Sequence, residues 1–173
     1  MIPGMSVLLN VGIGPFGANG GNGAAGPWVG VDRNAEFHPD VVALAWDLPY
    51  EDGQVDAVYC GHLLEHLTLF DEVPRTLAEF RRVLRPGAPL MVVGPCMERA
   101  LRERHGTDIL DGIRTGWDAL SPGFPHLWVC SESLLLTILS EHGWQCEAMP
   151  VENVGEFFPI VSRVPWQCAV LCR

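Results

Sequence analysis

The chain has 173 residues, a formal net charge of −10 and an apolar fraction of 48%. That length suits one domain with a real core and leaves little room for a second. So acidic a balance argues against a surface that coats nucleic acid, which takes clustered Lys and Arg, and no uninterrupted apolar run reaches the roughly 18 residues of a membrane span.

The opening residues, Met1 to Ser6, lack the basic start and apolar stretch of a secretory signal, so a cytoplasmic location is expected. Cysteines at 60, 96, 130, 146, 168 and 172 make no Cys-x-x-Cys pair and no zinc-type spacing. Most read as small core residues, with Cys168 and Cys172 on one face of a strand rather than in a disulfide. No metal site is expected.

Val7 to Val11 is an apolar run broken only by Asn10, and Gly12-Ile13-Gly14-Pro15 follows it at once, which reads as strand then glycine turn. The stretch from Phe16 to Pro27 is dominated by Gly, Asn and Ala. Each Gly costs about 1 kcal/mol in a helix relative to Ala, so a loop or stunted helix is expected there. Trp28 to Val31 is a second buried strand, ending in Asp32, 20 residues beyond Gly12. Glycines after a first strand bring the backbone close to a ligand, and an acid at the neighbouring strand tip can accept hydrogen bonds from ribose hydroxyls. Taken singly, the Gly-x-Gly is also a tight turn and Asp32 also a cap.

A turn over Phe37 to Asp40 leads to a third apolar run, Val41 to Trp46, which ends in Asp47 next to Leu48. Asp47 reads as a second strand-tip acid or as a cap of the Leu48-Pro49 turn. Val55 to Cys60 is a fourth strand with Gly61 and His62 at its carboxyl end, the edge where open parallel sheets bind ligands. Leu63, Leu64 and Leu67 share a helical face. From Phe70 to Leu84 apolar residues recur with helical period and Glu72, Arg75, Glu79, Arg81 and Arg82 lie opposite. Arg85-Pro86-Gly87 stops that helix.

Leu90 to Val93 is a fifth strand. Met97 to Trp117 is polar and interrupted by glycines, and the segment 97–128 reads as a lid or substrate-contact region of a single domain spanning 1–173. Ser131 caps a helix that ends at His142-Gly143. Trp144 to Val151 and Pro165 to Cys172 are two more strands, expected as an antiparallel pair at the sheet edge. The whole is a Rossmann-like, doubly wound α/β sheet, mostly parallel.

In motif order and spacing, Leu8 to Val93 resembles the class I S-adenosylmethionine-dependent methyltransferases of the small-molecule type with a short first crossover. The residues are Leu-Leu-Asn-Val-Gly-Ile-Gly, Val-Gly-Val-Asp, Asp-Leu-Pro-Tyr-Glu-Asp-Gly, His-Leu-Leu-Glu-His-Leu and Phe-Arg-Arg-Val-Leu-Arg-Pro-Gly. The resemblance implies S-adenosylmethionine as cofactor. Gly12 and Gly14 would lie under its amino-acid part, Asp32 at the ribose, Asp47 and Leu48 near the adenine, and Gly61 and His62 near the methyl. Asn10 stands where the family usually has Asp or Glu, so one acidic contact in the cofactor site becomes an amide.

The function expected is methyl transfer to a small-molecule acceptor, with His62 and His126 as candidate proton acceptors near neutral pH. A degenerate binding or assembly protein on the same fold is the alternative. Nicotinamide chemistry is disfavoured because the Gly-Ile-Gly-Pro turn lacks the third fingerprint glycine.

Overall fold

The computed structural model describes residues 6–16, 28–103, 125–154, 158 and 166–173. Its seven strands are β1 (Leu8–Val11), β2 (Trp28–Asp32), β3 (Val41–Val42), β4 (Ala57–Gly61), β5 (Leu90–Pro95), β6 (Cys146–Met149) and β7 (Gln167–Cys172). They form one sheet in the order β3-β2-β1-β4-β5-β7-β6. β1 to β5 run parallel, and β7 is antiparallel to both β5 and β6. The strand order reverses between β1 and β4, so the sheet has its switch point at the carboxyl ends of those two strands.

Burial along the strands follows their period of two. Leu9, Val58, Cys60, Leu90, Val92 and Val170 join one core, while Ala57, Tyr59, Met91, Val93, Ala169 and Leu171 join the other. Helix α1 (Glu72–Val83) covers the first face with Val73, Leu77, Phe80 and Val83, all fully buried. Helix α3 (Glu132–Glu141) adds Leu135 and Leu139 to the same core, and its start is capped by Ser131, whose Oγ accepts from Leu134 N at 3.2 Å. Short helices α2 (Met97–Glu103) and α4 (Val151–Val154) follow β5 and β6. Among the described residues, no helix is long and apolar enough to cross a membrane.

Two expectations change. The apolar run Val41 to Trp46 pairs with β2 only through Val41 and Val42, and then turns back on itself through an antiparallel bridge between Leu44 and Asp47. Asp47 therefore sits in an exposed turn and not at a strand tip. Cys172 faces the core as expected, yet it is joined by a disulfide to Cys146 across β6 and β7, with the Cα atoms 4.2 Å apart. The neighbouring residues Gln145 and Arg173 exchange both backbone hydrogen bonds. That makes Cys146 and Cys172 a non-hydrogen-bonded pair, the closest approach an antiparallel ladder offers. The glycine-rich stretch over 17–27 lies outside the described residues.

Phe80 is the largest α1 side chain inside the main core. Phe80→Ala is expected to lower the unfolding free energy by about 3–5 kcal/mol, read as a shift in the urea midpoint; a loss below about 1 kcal/mol would show that α1 is not seated on the sheet.

Candidate functional site

The carboxyl ends of β1 and β2 lie side by side, with Asn10 opposite Gly30 and Val11 opposite Val31. At the end of β1 the chain turns through Gly12 and Gly14, whose φ values of 80° and 53° lie in the left-handed region that glycine tolerates. Gly12 N donates to Val31 O at 2.8 Å, which pins the bend to β2. At the end of β2 the Asp32 carboxylate accepts from Gly14 N at 3.0 Å and from Asn34 N at 2.8 Å. One carboxylate thus fastens the two strand-end turns together. Asn10, two residues upstream of Gly12, is buried.

The side of Gly12 on which a Cβ would sit is not open. It would lie 2.9 Å from Leu63 Cβ, so the glycine admits Leu63 as well as the positive φ. Leu63 follows β4, and the sequence offered no sign that it would close on the first turn.

Asp47 and Leu48 approach the same edge from beyond β3. Leu48 is buried and Asp47 exposed. Their loop is held by α1: Glu79 Oε1 accepts from Leu48 N at 2.7 Å, while Arg82 donates to Tyr50 O at 2.8 Å and Leu48 O at 3.2 Å. Arg82 also pairs with Glu79 at 2.7 Å and with Asp52 at 2.9 Å. Helical periodicity places Glu79 and Arg82 on the polar face of α1, and it carries no information that this face clasps a loop. The Arg82 guanidinium, opposed by partial burial and helped by the Leu48 N–H, holds the Glu79 carboxyl below the usual carboxylate range.

Gly61 ends β4, where a Cβ would run into the Tyr59 ring. His62 follows with φ 54° and its N–H bonded to Val93 O at 2.8 Å. Both of its ring nitrogens are engaged, Nδ1 with Glu65 Oε1 at 3.1 Å and Nε2 with the Gln167 side-chain amide at 2.5 Å. This arrangement makes His62 a peg between the end of β4 and the start of β7. His126, the other candidate, lines a pocket with Met97, Trp128, Cys130 and Trp166 beyond the end of β5.

The structure therefore brings Asn10, Gly12, Gly14, Asp32, Gly61 and His62 to the carboxyl edge of three adjacent strands, whereas Asp47 and Leu48 lie in the loop after β3. Residues 27–92 match the family model described as a methyltransferase domain. A stretch of 53 residues is 43% identical to a 2-phytyl-1,4-naphthoquinone methyltransferase of Trichormus variabilis, covering 31% of this chain and 22% of that protein. The match thus spans about a fifth of the curated relative's length.

Among solved structures, an S-adenosylmethionine-dependent methyltransferase from Archaeoglobus fulgidus aligns with TM-score 0.65 at 16% identity, over 98% of this chain and 86% of that one. One from Thermotoga maritima, described as a possible histamine N-methyltransferase, aligns with TM-score 0.62 at 17% identity, over 99% and 83%. The chain thus has the fold of these methyltransferases and carries a methyltransferase-domain match over residues 27–92.

The Glu79 clasp has a pH signature. A carboxyl whose pKa is depressed on folding contributes stability above its unfolded pKa and loses it as pH falls through the folded one. Glu79→Gln is therefore expected to lower the urea midpoint at pH 7 and to leave it nearly unchanged near pH 3; an equal deficit at both would mean that the ionised carboxylate is not what holds the loop.

Proposed function

We propose that this protein transfers a methyl group from S-adenosylmethionine to a small-molecule acceptor. The observation that carries the reading is the Asp32 carboxylate, fixed beside the glycine bend at the switch point of the sheet. A carboxylate oxygen can accept two hydrogen bonds, and each Asp32 oxygen accepts one from a backbone N–H, which leaves acceptor capacity for the two ribose hydroxyls. The buried Asn10 amide replaces a carboxylate without placing a second uncompensated charge near the bend, which would be costly.

Bound there, the cofactor supplies a methyl on an already activated sulfonium, so the protein's task is alignment and exclusion of water. Asp32 orients the ribose from backbone-fixed oxygens, and Gly12 and Gly14 carry the chain past the amino-acid part. Leu48, fastened to α1, forms the apolar wall near the adenine with Asp47 at its rim. Gly61 and His62 set the backbone near the methyl, the ring of His62 being tied down on both sides. The segment expected to contact the acceptor, 97–128, lies for the most part (104–124) outside the described residues. The pocket bordered by Met97, Trp128 and Trp166 favours an apolar acceptor, in keeping with the quinone named for the Trichormus variabilis relative.

The expected compartment is the cytoplasm, where the Cys146–Cys172 pair would face reducing conditions. A catalytically silent binding protein is the second reading, favoured by Asn10 and by Leu63 closing on the Gly12 turn. It predicts cofactor binding with no methyl transfer to quinols or other aromatic acceptors.

Asp32→Ala is expected to weaken S-adenosylmethionine binding by about 1–3 kcal/mol, roughly 5- to 150-fold, without unfolding the protein. Calorimetric titration of both proteins with the cofactor and its demethylated product checks this. Equal affinities, or no binding by the wild type below about millimolar, would overturn the assignment.

A further inference from the structure

We propose that Glu65, His66 and His126 form a binding site for one divalent transition-metal ion of the zinc type. One ligand atom from each, a carboxylate oxygen and two imidazole nitrogens, lies within 4.8 Å of the others. Two of the three come from the tight helical turn Leu64–His66 that follows β4, and the third from a segment 60 residues away in sequence. That segment is held against the turn by Leu127 N donating to Glu65 O at 2.7 Å and by Trp128 Nε1 donating to Leu64 O at 3.0 Å and Leu67 O at 3.1 Å. The residues are thus brought together by a built backbone contact.

Each ligand is prepared for the role. His66 Nδ1 lies 3.2 Å from Pro125 O, which can only accept, so that nitrogen carries the proton and Nε2 keeps its lone pair. A backbone carbonyl fixing the far nitrogen is the usual outer support of a metal-bound histidine. His126 Nε2 lies 4.0 Å from Glu65 Oε1, and the two histidine rings meet edge to face with centroids 4.8 Å apart.

Glu65 is 1% exposed, an uncommon position for a carboxylate. Its Oε1 lies 3.1 Å from His62 Nδ1 and 4.0 Å from His126 Nε2, so the carboxylate is surrounded by imidazoles. A carboxylate buried among imidazoles is the environment a dication completes. Zinc bonds of about 2.0–2.1 Å need donors about 3.3 Å apart, a contraction that side-chain rotation supplies.

The donor set selects the ion. Calcium and magnesium take oxygen ligands, whereas two imidazoles and one carboxylate suit zinc, cobalt, nickel or ferrous iron. The buried thiols of Cys96 and Cys168 are poor competitors, because neighbouring thiols and burial push their pKa values up. Three protein ligands leave a coordination position open, and His126 also borders the pocket beyond β5. If the methyl-transfer reading holds, an acceptor oxygen would bind at that position; the metal site itself does not depend on that reading.

The test uses the full chain stripped with a chelator, titrated with Zn²⁺ against a chromophoric competitor, and separately with Co²⁺ followed by visible absorption. One tight equivalent is expected, with a Co²⁺ spectrum free of thiolate charge-transfer bands. His66→Ala and His126→Ala should each weaken Zn²⁺ on the order of 100-fold, whereas His142→Ala, at the far end of α3, should not. Far-UV circular dichroism identifies any variant that fails to fold, and the wild-type Co²⁺ spectrum then decides. Absence of a stoichiometric equivalent, equal affinity in folded His66 and His126 variants, or thiolate bands removed by Cys96→Ser would overturn the proposal. Cofactor titration of the same preparations separates the two readings, since a chain that binds Zn²⁺ but no S-adenosylmethionine keeps the metal site and loses the methyltransferase function.

Discussion

The site depends on one carboxylate joining two turns. Asp32 takes backbone N–H groups from Gly14 and from Asn34, so the end of β1 and the end of β2 hold their shape together. Buried or half-buried backbone donors must find acceptors, and in a turn too tight for ladder bonds a side chain has to supply them. The same carboxylate is then rigid before any ligand arrives, and preorganised groups lose little entropy when they bind. Structure and binding capacity here come from the same pair of oxygens.

Around that constraint the remaining elements act as props. Leu63, arriving from the end of β4, occupies the space a Cβ at position 12 would need, which couples the first turn to the third strand end. Helix α1 fills the core with its apolar stripe and uses Glu79 and Arg82 to hold the loop that carries Leu48. His62 and Gln167 tie the end of β4 to β7 across the parallel-to-antiparallel junction. Each contact links segments distant in sequence, so the edge of the sheet forms only when the whole domain has folded.

What could be read from the sequence followed from local rules. Val7 to Gly14, Trp28 to Asp32 and the stripe of Val73, Leu77, Phe80 and Val83 are governed by periodicity and turn chemistry, and they fold as the residues suggest. The antiparallel pair at the C-terminal edge was likewise legible, as two strand runs joined by a longer connection after the helix capped by Ser131. Val41 to Trp46 was not, since an apolar run packs equally well as a strand or as a turn folded under one, and here only two residues find a partner strand. The Cys146–Cys172 bond depends on the register of β6 against β7, which spacing alone does not reveal. The gathering of His66 and His126 about Glu65 is set by where residues 125–130 dock. Histidines at a helix start and in a distant loop carry no mark of that meeting.

The most direct measurement is a crystal structure of the protein with S-adenosylhomocysteine. The account predicts the ribose hydroxyls within hydrogen-bonding distance of the Asp32 oxygens, the amino-acid part over the Gly12–Gly14 bend, and Asp32 still bonded to the backbone of Gly14 and Asn34. A ligand seated elsewhere on the sheet, or an Asp32 carboxylate turned away from the ribose, would contradict it.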